Sequence, residues 1–125
     1  MTDGKKLLVV DDDPDVLEIL RLSLDGFDGW SVCTVTGCAD VVRQLDTHTH
    51  DAVLLDIWMS DTDERAVLSD IRARQTDVPV IVLTEDPDPA LTDRLRAQGA
   101  SAVLHKPFDP LSIGADIASV LGWWT

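Results

Sequence analysis

Five short, largely apolar runs recur along this 125-residue chain with helix-like stretches between them. They are Lys5–Val10, Trp30–Val35, Ala52–Leu55, Pro79–Leu83 and Ala102–Leu104. Runs such as Leu7-Leu8-Val9-Val10 and Val80-Ile81-Val82-Leu83 do not alternate, which suits strands buried on both faces, as in a parallel sheet. The second run alternates more, as an edge strand does.

The intervening stretches carry helical periodicity and their own start and stop signals. Pro14 opens a first helix, since a missing N–H does no harm in a first turn. Val16, Ile19, Leu20, Leu24 and Phe27 are its expected inner stripe, and Asp25-Gly26 and Asp28-Gly29 end it. A weaker helix is predicted from about Ala39 to Leu45, with Val41, Val42 and Leu45 inward. A third turns Ala66, Val67, Leu68 and Ile71 inward. The breaker Asp86-Pro87-Asp88-Pro89 starts a fourth, which carries Leu91 and Leu95 and stops at Gly99. Asp109 caps and Pro110 opens the last, expected to bury Leu111, Ile113, Ile117 and Leu121. Strand-helix alternation with right-handed crossovers makes the strands parallel and puts helices on both faces. The expectation is one α/β domain over residues 1–125, a three-layer sandwich around a five-stranded parallel sheet.

In an open parallel sheet, ligands bind beyond the carboxyl ends of the strands. Those ends carry Asp11 and Asp12 (first), Asp56 (third), Thr84 (fourth) and Lys106 (fifth). Taken singly, Asp56 is a turn former or helix cap, Thr84 a β-former and Lys106 a solvated cation. Gathered at one sheet edge they become a site. Carboxylates crowded together repel, and one of them holds its proton unless a cation intervenes. Lys106 offsets one charge, and a hard, oxygen-preferring ion such as Mg2+ (or Mn2+) suits the rest. A carboxylate beside such an ion, a hydroxyl and an ammonium is an arrangement for phosphoryl transfer, with Asp56 attacking phosphorus to give an acyl phosphate. Lys106 and the ion would neutralise the equatorial oxygens while Thr84 hydrogen-bonds one of them.

Composition narrows the partners. The net charge is −13, from 20 Asp and 3 Glu against 10 basic residues, only 3 of them Lys. Such a surface excludes a sequence-blind grip on nucleic acid and suggests adaptation to high salt, where self-repulsion is screened. Melting curves at low and high salt test the second point; a halophilic chain loses stability on dilution. No apolar run is long enough to span a bilayer, and residues 1–10 lack signal-peptide design, so the expected setting is the cytoplasm. There Cys33 and Cys38 are expected as reduced thiols. His48 and His50 lack further ligands for a metal and are expected as solvated loop residues.

Over essentially its whole length the sequence resembles the receiver domain of two-component response regulators. The resemblance rests on Leu7-Leu8-Val9-Val10-Asp11-Asp12-Asp13-Pro14, the Asp56 strand, Val80-Ile81-Val82-Leu83-Thr84 and Lys106-Pro107-Phe108. It implies the flavodoxin-like (βα)5 fold with strand order 2-1-3-4-5, an order that general fold rules already attach to this family. It implies that Asp56 accepts phosphate from the phosphohistidine of a sensor histidine kinase and that the domain catalyses its own phosphorylation and dephosphorylation. Asp12 would bind Mg2+ directly, Asp11 through water, and the Trp58 backbone carbonyl would be a further ligand. Asp13 would begin the first loop or helix, and the Lys106-Pro107 bond would be cis. The fourth helix, fifth strand and fifth helix would signal to a downstream output protein or domain, and the same face is where a homodimer would form.

Several positions depart from the family pattern. Ser60 and Glu64 stand where a proline and a glycine are usual, Val103 where a switch aromatic is usual, and Glu85 where a small residue follows the threonine. Trp58 and Asp86 occupy positions that tune acyl-phosphate lifetime. These departures keep open a second reading, a pseudo-receiver that docks proteins without phosphorylation. A Mg2+-dependent phosphatase with an aspartyl nucleophile is disfavoured, because Trp58 stands where a second acid is needed. A flavin site is disfavoured too, because its phosphate would meet Asp11-Asp12-Asp13. The terminal pair Trp123-Trp124 either packs under the last helix or docks a partner.

Overall fold

The computed structural model describes residues 4–56, 64–74, 77–86 and 88–123. Its strands are β1 (Lys6–Val10), β2 (Ser31–Val35), β3 (Ala52–Asp56), β4 (Val80–Thr84) and β5 (Ala102–His105). They form one parallel sheet in the order β2-β1-β3-β4-β5, as expected, with β2 at an edge. The helices are α1 (Pro14–Leu24), α2 (Cys38–Thr47), α3 (Glu64–Arg74), α4 (Pro89–Ala97) and α5 (Ile113–Leu121).

The unalternating strands feed two cores at once, because successive side chains in a strand face opposite ways. Leu7, Val9, Leu54, Ile81 and Leu83 meet Leu17, Leu20 and Leu24 of α1 and Ile113, Ile117 and Ala118 of α5. Leu8, Val10, Val53, Leu55, Val80 and Val82 meet Val41 and Leu45 of α2, Val67, Leu68 and Ile71 of α3, and Leu91 and Leu95 of α4. Burying a branched side chain of this size contributes about 1.5–3 kcal/mol, so the central strands hold the sandwich together.

Local chemistry sets the helix starts. The Asp13 side chain accepts from Asp15 N–H at 2.9 Å and Asp88 from Ala90 N–H at 2.9 Å, each just before a proline in the first turn. Asp13 is thus the cap of α1. The last helix departs from expectation. Asp109 Oδ1 does accept from Leu111 N–H at 2.9 Å, but it closes a turn; α5 starts at Ile113, and Leu111 is 95% exposed. Placing Ile113 and Ile117 on the sheet fixes the helix register, and the local turn before it leaves Leu111 outside. The stripe of α1 shifts similarly: Leu17 is buried, and Ile19 is 45% exposed.

Trp123 packs edge-on against Trp30, with ring centroids 5.2 Å apart, and Lys5 lies over its ring. Trp123 therefore packs on its own chain; Trp124 lies outside the described residues. Cys33 is a free thiol. His48 is exposed, but His50 is half-buried with both ring nitrogens shielded from solvent, so the expectation of two solvated histidines fails for it. No helix among the described residues is long and apolar enough to cross a membrane.

Candidate functional site

Parallel pairing aligns the carboxyl ends of β1, β3, β4 and β5, and polar residues collect there. Asp56 is the last residue of β3, in register with Leu83, and Thr84 closes β4 opposite His105. Asp11 follows β1 and still donates its N–H to Val35 O at 3.2 Å, so it keeps the strand's direction. Asp11 and Asp56 are fully buried and Thr84 is nearly so.

Lys106 Nζ lies 2.5 Å from Asp56 Oδ1, with side chains 9% and 1% exposed. The Lys106 backbone N–H donates to Thr84 O at 2.7 Å, and the Lys106-Pro107 bond is cis, as expected. Asp11 Oδ1 accepts from Asp13 N–H at 3.0 Å, whereas Asp11 Oδ2 is buried without a hydrogen-bond donor among the described residues. The Asp11 carboxyl is pushed up from 3.8 to about 8, first by burial and then by the adjacent Asp56 carboxyl. The Asp13 N–H pulls it down, Asp56 charge raises it, and Lys106 charge partly offsets that. Two acids share one pocket with one ammonium, so Asp11 holds its proton unless a cation takes the proton's place.

The expected three-carboxylate cluster is a pair. Asp12 is exposed, and among the described residues no three His, Cys, Asp or Glu side chains converge as a metal site. Asp11 keeps the direction of β1, whereas Asp12 lies in a bend just beyond it, with Asp13 N–H turned back onto Asp11 Oδ1. The pair still fits a small divalent cation. Asp11 offers a buried oxygen with no donor among the described residues, Asp56 offers a second carboxylate, and a Mg2+ ion held there would take water and phosphate oxygens for the rest of its shell. Trp58, Ser60 and Asp63 lie outside the described residues, and Glu64 begins α3.

Three features were not legible as site elements. The Thr84 hydroxyl accepts from Asp86 N–H at 3.1 Å, tying the loop before α4 to the strand end. Val16, Ile19, Glu85, Lys106, Pro107, Phe108 and Pro110 line a groove of about 620 Å³ against the lysine. Ile19 belongs to it because α1 is rotated from its expected stripe. The third is a larger concavity of about 850 Å³ at the opposite end of the sheet, beside Lys6, Gln44, His50 and Arg74. It has no part in the acidic site.

Residues 7–118 match the response regulator receiver domain family. The chain is 36% identical over 118 residues to the transcriptional regulatory protein PrrA of Mycobacterium tuberculosis, covering 93% of this chain and 49% of that protein. It is 33% identical over 117 residues to the probable transcriptional regulator ycf27 of Cyanidium caldarium, covering 92% and 45%. The chain thus spans about half the length of these curated relatives. Among solved structures, a putative response regulator from Chloroflexus aurantiacus superposes with a TM-score of 0.82 at 26% identity, covering 96% of this chain and 99% of that one. The chemotaxis response regulator CheY4 of Vibrio cholerae, at 22% identity, shares the fold with a TM-score of 0.84 and coverage of 95% and 99%. With its β2-β1-β3-β4-β5 sheet and its acids at the strand ends, the chain belongs to the receiver domain family of two-component response regulators.

Proposed function

We propose that the chain, residues 1–125 as one domain, is a phosphoacceptor: Asp56 takes a phosphoryl group from the phosphohistidine of a sensor histidine kinase. The observation that carries this reading is the buried Lys106–Asp56 contact of 2.5 Å beside Asp11, whose Oδ2 has no donor among the described residues. A buried carboxylate oxygen held by a fixed ammonium is oriented in one direction, as a nucleophile must be. Its oxygen forms the new bond to phosphorus as the P–N bond of the donor breaks and the pair leaves with nitrogen. Lys106 then faces the transferred oxygens, and the Thr84 hydroxyl, while accepting from Asp86 N–H, has its own O–H to donate to one of them.

Asp11 and Asp56 would hold Mg2+ or Mn2+, with the Trp58 carbonyl as a further ligand. Asp12 joins them only by turning in from its exposed position. The bound ion supplies neutralisation of phosphoryl charge. The apolar groove beside Lys106 suits the kinase surface that delivers the donor. The output runs through the face of α4, β5 and α5 to a downstream protein or segment, and a homodimer would use that face. Relatives named as transcriptional regulators favour control of transcription, with nucleic acid held elsewhere than on this acidic domain. The setting for such a relay is the cytoplasm.

The test is intact-mass measurement with Mg2+ and acetyl phosphate. The wild type should gain one phosphoryl group and Asp56→Asn none. Beryllofluoride should raise the melting temperature only when Asp56 is present. An unchanged wild-type mass and melting temperature would favour the docking-module reading. That reading draws on Val103, which is half-buried against the core where an aromatic switch would stand.

A further inference from the structure

Glu85 directly follows the buried Thr84, is exposed, and lines the groove whose wall includes Lys106. Among the described residues the rest of the lining is Val16, Ile19, Pro107, Phe108 and Pro110, so Glu85 is the acid these residues bring to an otherwise apolar groove beside one ammonium. No hydrogen bond or ion pair engages its carboxylate in the described structure. The bonds of its neighbours are local: Asp86 N–H goes to Thr84 Oγ1 and Asp88 N–H to Asp86 Oδ1. An unneutralised carboxylate in a groove with low-dielectric walls acts on any charged molecule that approaches through it.

We propose that Glu85 is a specificity-determining residue that sets which phosphodonor chemistry reaches Asp56. It disfavours dianionic acyl phosphates and spares phosphoramidates. This rests on the phosphoacceptor reading and names the substrate class of that site. In both reactions an Asp56 oxygen bonds to phosphorus. From an acyl phosphate the P–O bond breaks and a carboxylate leaves with the electron pair. From a phosphoramidate the P–N bond breaks, the pair goes to the already protonated nitrogen, and neutral ammonia leaves. The acyl donor brings a dianion past Glu85 and sends an anion back. The phosphoramidate is a monoanion with a cationic nitrogen, the pattern of a protonated phosphohistidine, so repulsion by Glu85 is weaker.

The experiment measures initial phosphorylation rates by intact mass with Mg2+, using acetyl phosphate and phosphoramidate as probes. It compares the wild type, Glu85→Gln, Glu85→Lys and Asp93→Asn. Asp93 is exposed on α4 and outside the groove's described lining, so its variant makes the same net-charge change as Glu85→Gln without touching that lining. The acetyl phosphate to phosphoramidate rate ratio should rise about threefold in Glu85→Gln at low salt and further in Glu85→Lys. The gain should shrink toward the wild-type ratio as ionic strength is raised, and Asp93→Asn should leave the ratio unchanged. A wild type that is phosphorylated while the ratio stays constant across the Glu85 variants overturns the assignment. An equal rise in Asp93→Asn also overturns it, by assigning the effect to net charge. A wild type that takes phosphate from neither donor overturns the phosphoacceptor reading itself, and this inference with it.

Discussion

Lys106 Nζ and Asp56 Oδ1 stand 2.5 Å apart although 50 residues separate them in the chain, and both side chains are almost wholly buried. Removing the ammonium leaves Asp56 and Asp11 facing each other without that charge. Lys106→Met should therefore lower stability at pH 7.5 by about 3 kcal/mol, the usual scale for breaking a buried pair. Urea unfolding with and without Mg2+ checks this. The deficit should narrow when the divalent cation is present, and phosphorylation should slow in parallel.

Asp11 is buried, and its carboxyl is raised to about 8, chiefly by burial and the neighbouring Asp56. An amide keeps the Oδ1 that accepts from Asp13 N–H and has no proton to take up on folding at neutral pH. Asp11→Asn should thus raise the melting temperature of the metal-free protein at neutral pH, while abolishing the further rise that Mg2+ gives the wild type. Thermal melts with Mg2+ and with chelator read both effects; a variant still stabilised by Mg2+ would remove Asp11 from the site.

His50 has its ring nitrogens buried without hydrogen-bond partners in the described structure. Its pKa lies below 6.5, first because of burial, then because of the charges of His48 and Lys6, with Asp51 opposing. The folded state holds His50 neutral while the unfolded chain takes up a proton below about 6.5, so stability is lost as pH falls from there toward the folded pKa. The urea midpoint should drop between pH 7.5 and 5.5, and the drop should be smaller in His50→Leu. Parallel curves for the two proteins would contradict this.

Arg72 ties α3 to the loops before β4 and after α4: its guanidinium donates to Val78 O and to Gly99 O, each at 2.5 Å. Losing both bonds leaves part-buried carbonyls without this donor. Arg72→Leu should cost about 2 kcal/mol in urea unfolding, and Arg72→Lys should recover little, because an ammonium lacks the planar fork. Gly99→Ala should destabilise too: φ is +115°, and a Cβ would lie 3.1 Å from Arg72 Nε.

Most of the sheet was legible because its signals are local and redundant. Each run such as Val80–Leu83 is apolar throughout, and both faces of a central parallel strand demand that. The residues delivered to the strand ends followed from the same pattern, since topology sends every parallel strand's carboxyl end to one edge. The errors fell where two local readings were equally good. Asp109-Pro110 is a sound helix start, yet the chain used it as a turn, because only a later start lays Ile113 and Ile117 on the sheet. Ile19 and Leu17 sit near each other on α1, and the angle at which the helix docks chose Leu17.

By itself, then, the sequence determined the number of strands, the parallel sandwich they build, and the gathering of Asp11, Asp56, Thr84 and Lys106 at one edge, while the strand order came only with the family resemblance. These depend on apolar periodicity and chain connectivity, which are written in the order of residues. Tertiary structure alone decided which of two successive acids turns inward, so that Asp11 is buried beside Asp56 and Asp12 faces solvent. It also decided that Glu85 lines the groove beside Lys106. Those outcomes depend on the direction of single side chains, and that direction is fixed by packing between elements far apart in the chain.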